Sequence, residues 1–158
     1  MRRAVFVVVM AVGCAVDARD DDAASPQTKA LFAALPAATP DKLRGVWALT
    51  SQGNNGDAEI RVRFTDGKIV GGVRCTTKSG AEITTVGGEV TITTDDLDKK
   101  SGHFVMRATL QMDGTGSNGQ TCQGKLDAAD WGFVVTGTNI ILSSIEPKGS
   151  ASFQKVGD

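Results

Sequence analysis

One histidine, three cysteines, a glycine-rich loop and three aspartates in a row hold most of the chemistry this chain could perform. Gly114-Thr115-Gly116-Ser117-Asn118-Gly119 satisfies G-x-G-x-x-G, the spacing that lets a backbone close around a diphosphate. Such a loop needs a helix after it, whose N-terminus faces the anion, and a P-loop needs a lysine where Gln120 stands. Thr121-Cys122-Gln123-Gly124 is a poor helix start, and a chain with 19 glycines produces such matches by chance. A long hairpin loop is expected instead. His103 has no second histidine or free thiol beside it with which to hold zinc, and it lies opposite Phe104 and Met106 in the strand alternation, facing solvent. Ser143, Ser144 and Ser150 lack the G-x-S-x-G turn that exposes a nucleophilic hydroxyl. Asp95, Asp96 and Asp98 stand beside Lys99 and Lys100 as a solvated turn, not as a hydrolytic carboxylate pair. Asp20-Asp21-Asp22 has neither the spaced ligands nor the turn glycine of a calcium loop. No catalytic, cofactor-binding or metal-binding residue is expected, and no enzyme.

The remaining chemistry is that of the thiols. Arg2 and Arg3 precede an apolar run, Ala4 to Gly13, that is too short to cross a bilayer, and Cys14 follows the small Gly13. Ala11-Val12-Gly13-Cys14 resembles the lipobox of bacterial lipoproteins. The resemblance implies cleavage after Gly13 and acylation of Cys14 by diacylglycerol and a further chain such as palmitate. Each buried CH₂ contributes roughly 0.8 kcal/mol, so two or three acyl chains anchor firmly where one would not. Ala15 after the cysteine implies the outer membrane of the bacterial envelope. With Cys14 assigned to lipid, Cys75 and Cys122 remain as an even pair in an oxidising compartment, and a disulfide is the economical reading. A redox or metal-binding pair would call for C-x-x-C spacing.

Loss of Arg2 and Arg3 with residues 1–13 makes the formal charge of −1 more negative by two. Residues 14–41 hold Asp17, Asp20, Asp21, Asp22 and Asp41 against Arg19 and Lys29, and read as an acidic tether. Helix formers at 30–35, stopped by Pro36, predict a short helix within it. Residues 42–158 are then neutral and carry no basic cluster, which argues against nucleic-acid partners. Here the apolar period is two. Ala58, Ile60, Val62 and Phe64 alternate with Glu59, Arg61 and Arg63, Asp66-Gly67 signals a turn, and Ile69, Gly71, Val73 and Cys75 share the next inner face. Further strands are expected at 81–86 and 89–94 around a Gly87-Gly88 turn, and at 103–111, 119–126, 131–136, 139–144 and 150–156. That pattern predicts an all-β domain, a small antiparallel up-and-down barrel of about eight or nine strands with a short helix before the first.

Leu43-Arg44-Gly45-Val46-Trp47 is similar to the G-x-W opening of lipocalins and lipocalin-like bacterial lipoproteins, and Asn139 to Leu142 with Ser152 to Val156 resembles their final hairpin. The resemblance implies barrel closure by Gly45, Trp47, Phe153 and Lys155, with the lysine against the indole. Trp131, if it lies at a rim, is expected to matter less to stability than Trp47. Small residues at inner positions, Ala58, Gly71 and Ala108, leave room for a cavity. The expected function is non-catalytic binding of a small apolar or amphipathic molecule at the envelope. The alternative is a barrel that binds a protein, in the manner of secreted-protease or lysozyme inhibitors; the G-x-W-x-L opening also resembles that of the protease inhibitors.

Overall fold

The computed structural model describes residues 26–33, 41–53, 56–78, 80, 82–115 and 121–158. The leader, Cys14 and the acidic run lie outside the described residues. Within them a short helix, α1 (Pro26–Phe32), precedes β1 (Gly45–Gly53), β2 (Gly56–Thr65), β3 (Lys68–Thr77), β4 (Glu82–Thr93) and β5 (Ser101–Met106). Then follow β6 (Leu110–Thr115), β7 (Thr121–Leu126), β8 (Ala129–Thr136), β9 (Asn139–Ser144) and β10 (Gly149–Gly157). Eight strands close an antiparallel barrel in the order β1-β10-β9-β8-β5-β4-β3-β2, while β6 and β7 pair only with each other. Neighbours around the barrel therefore follow the chain, with one hairpin stepping out between β5 and β8.

Alternation builds the wall. Ala58, Ile60, Val62 and Phe64 are buried on β2, and their partners on β3 are Cys75, Val73, Gly71 and Ile69. Gly67 turns the chain between them at φ +72°, a conformation that glycine adopts without steric cost. One end of the barrel is closed by Leu43, Trp47 and Leu97, all buried. Trp47 pairs in register with Lys155, so the first and last strands are joined and no open edge remains between them.

Three expectations are corrected. Gly87-Gly88 is not a turn: both lie inside β4, opposite Gly72 and Gly71 of β3. The four glycines thin the wall so that other elements can approach it. A Cβ on Gly87 would collide with the Thr28 hydroxyl of α1, and one on Gly88 would lie 2.5 Å from the Gln111 carbonyl oxygen. The expected strand at 103–111 is broken between Met106 and Leu110, so Ala108 lies in an exposed connection and not on an inner face. The helix begins earlier than its apolar spacing suggests, at Pro26, where the missing N–H costs nothing. It rests on the outside of β2–β4: Arg61 donates to the Leu31 carbonyl at 2.9 Å, and the Phe32 ring lies under the Arg61 and Arg74 guanidinium groups.

Candidate functional site

Side chains converge at the barrel closure and, among the described residues, on the outer wall that α1 does not cover. At the closed end Trp47 Nε1 donates to the Leu43 carbonyl at 2.7 Å, and the Lys155 ammonium lies 5.6 Å from the indole centroid. Lys155 is buried and also pairs with Asp158 at 3.1 Å. Gly45 is obligatory here, because a Cβ would lie 2.8 Å from Lys155 Cε on a backbone at φ +121°. Phe153, two residues before the lysine on the same inner face, is 6% exposed. Arg44 ties this end to its loops through Asp66 at 2.7 Å and Asp98 at 3.2 Å. Those hydrogen bonds hold both carboxylates below the usual range and raise the guanidinium further. Asp96 is likewise lowered by Lys99 and by the backbone N–H of His103. Asp96 and Asp98 therefore fasten this loop to the start of β5 and to Arg44.

Trp131 is not at a rim. It is fully buried, stacks on Phe104 at a centroid distance of 6.4 Å and donates from Nε1 to the Asp127 carbonyl at 3.0 Å. Cys75 and Cys122 are bonded, with their Cα atoms 5.9 Å apart, and join β3 to β7. The room expected beside Gly71 is filled from that hairpin: a Cβ on Gly71 would lie 2.7 Å from Leu110 Cδ2 and 2.8 Å from Met112 Sδ. The inner face of β2–β4 is therefore packed with protein.

The outer wall of β5, β8, β9 and β10 is different in kind. Phe104, Trp131, Phe133, Ile140 and Leu142 turn inward, which sends their neighbours out. Two rows result in register, Ser101-Val134-Ile141-Ser152 and His103-Gly132-Ser143-Ser150, and neither carries a charged residue. Val134 and Ile141 are paired across β8 and β9 with 53% and 54% of their surface exposed, and Ile145 beyond them is 87% exposed. Beside the second row lies a groove of about 780 Å³, lined by His103, Arg107, Asp130, Ser143, Ile145 and Glu146. A Cβ on Gly132 would stand 3.5 Å from Ser143 Oγ and 3.7 Å from His103 Cε1, in ordinary contact with both. Among the described residues no hydrogen bond joins that serine to the histidine. What the wall offers is an exposed aliphatic pair beside neutral hydrogen-bonding groups, with the charged Arg107, Asp130 and Glu146 along the groove.

Sequence reasoning placed His103 on the outside, and it is exposed. It did not single out Val134, Ile141 and Ile145. The signal was present in Val134-Val135 and Ile140-Ile141, where alternation fails because both faces are apolar. No family model matches the chain, and no curated protein or solved structure matches it.

Proposed function

We propose that this protein is a non-catalytic, lipid-anchored barrel of the bacterial envelope that binds a protein partner through the wall of β5, β8, β9 and β10. The observation that carries the reading is the exposure of Val134 and Ile141, paired on the wall that α1 does not cover, with Ile145 exposed in the turn that follows β9. Clustered exposed aliphatics rimmed by polar groups are the usual mark of a protein contact surface. The outside of β2–β4, by contrast, carries Arg61, Arg74 and Glu59 and is occupied by α1. In this reading Cys14 holds the chain at the outer membrane, and the acidic segment behind it gives the barrel reach. A photo-crosslinking side chain at Ile141 or Ile145 is expected to give a protein adduct in cells, while one at Lys68 on the opposite wall gives none. Equal labelling from both walls would count against the reading. The second reading, a small apolar ligand within the barrel, draws support from one feature: the hairpin that fills the inner face is a sheet of its own.

A further inference from the structure

The β6–β7 hairpin is attached to the barrel in an unusual way. Its strands pair from Leu110↔Leu126 to Thr115↔Thr121, and among the described residues no strand pairing joins them to the wall. One face is buried, with Leu110, Met112, Cys122 and Leu126 turned to the inside of β2–β4. The other face, with Gln111, Asp113 and Lys125, is exposed. An isolated two-stranded hairpin is marginal in water, so this one depends on its seat. The seat is made of absent side chains: Gly71 receives Leu110 and Met112, Gly88 receives the Gln111 carbonyl, and Gly124 receives Ile60 Cδ1.

Covalent links hold the hairpin at opposite ends. At its base the chain runs into β5 and β8. Toward its tip, one pair short of the last in the ladder, Cys122 bonds to Cys75 of β3. Next to the base the wall is weakly sewn, because β4 and β5 pair at only two positions, Ile92↔Met106 and Thr93↔Val105. Beneath the hairpin the wall is aliphatic: Ala58, Ile60, Val62 and Val73 are each no more than 5% exposed.

We infer that the hairpin is a strap locked by Cys75–Cys122, and that reduction of the bridge lets it lift about its base and uncovers an internal site for an aliphatic chain. The reductant is a dithiol. Its thiolate attacks one sulfur of the bridge and the other cysteine leaves as thiolate and takes up a proton. The second thiol of the reductant then displaces the mixed disulfide, giving two protein thiols and one oxidised dithiol. Both cysteines are buried, so exchange proceeds through fluctuations that part β7 from β3. The strap is separate from the outer wall, and its opening does not depend on the protein partner proposed above.

The test uses the full chain, oxidised, reduced with dithiothreitol, and as Cys75→Ser/Cys122→Ser. Hydrogen exchange is followed by mass spectrometry, and 11-(dansylamino)undecanoic acid is the probe. Reduction and the double substitution should each speed amide exchange in 110–126 by at least about tenfold. They should leave β8–β9 protected and give saturable probe binding that the oxidised protein lacks. Unchanged exchange in 110–126 on reduction would overturn the proposal, because packing alone would then hold the strap. Loss of protection in β8–β9 would overturn it too, since the bridge would be stapling the whole barrel. Equal probe binding in the oxidised and reduced forms would remove the internal site.

Discussion

Gly71→Ala isolates the packing between hairpin and barrel with a single methyl group. The new Cβ would lie 2.7 Å from Leu110 Cδ2, 2.8 Å from Met112 Sδ and 3.3 Å from Leu110 Cγ, where ordinary contact begins near 3.4 Å. Leu110 and Met112 are 0% and 1% exposed, so neither can retreat into solvent. Overpacking of this kind costs about 1–3 kcal/mol. Against it stands the gain of about 0.5–1 kcal/mol from removing a glycine within a strand, since the backbone at position 71 suits alanine. A net loss of about 1–2 kcal/mol is expected, read by urea unfolding of the oxidised protein through its two tryptophans. Met112→Ala costs about 2–5 kcal/mol alone. Combined with Gly71→Ala it should cost at least about 1 kcal/mol less than the sum, because the thioether that the methyl strikes has gone. Wild-type stability in Gly71→Ala, or strict additivity of the pair, would refute the seating of the hairpin on this glycine.

Trp47→Ala should destabilise by about 3–5 kcal/mol, and Trp131→Ala by a similar amount because it is equally buried and hydrogen-bonded; a loss under about 1 kcal/mol for Trp131 would return it to a rim. Asp66 and Asp98 titrate lower when folded than when unfolded, so their contribution is complete above their unfolded value of about 3.9 and is lost as pH falls through the depressed folded values. Asp66→Asn/Asp98→Asn should therefore flatten the fall in Tm below about pH 4, and an unaltered acid limb would remove the pairing with Arg44 from the account. Cys14→Ser should release the protein from the membrane fraction into the periplasm, and unchanged membrane association would end the assignment of a lipid anchor.

Much of the barrel was legible because a half-buried strand writes its register into the sequence. Ala58 to Phe64 and Ile69 to Cys75 carry their inward faces openly, while the junction of first and last strands at Gly45, Trp47 and Lys155 came from the resemblance to the lipocalin opening and not from the alternation. The misreadings share a physical cause. Gly87-Gly88 resembles a turn, yet it is a thin place in a wall between two approaching elements, and local sequence does not distinguish the two uses of glycine. The chain from His103 to Leu110 keeps its apolar period through Ala108, so nothing local marks the point where the hairpin leaves the barrel. Gly71 looked like room for a ligand because the residues that fill it, Leu110 and Met112, come from about forty residues away. The outer wall was legible in part: His103 was placed outside, but the exposure of Val134 and Ile141 follows only once the pairing of β8 with β9 is known.

Native mass spectrometry of the protein extracted from its own envelope, without reductant, tests the proposed function most directly. A complex with a second protein is expected, reduced at least about tenfold in abundance by Ile141→Lys/Ile145→Lys while the fold is kept, with no small molecule on the oxidised barrel. A mass increment of a few hundred daltons retained on the oxidised chain, with no protein partner and no effect of the double substitution, would contradict it.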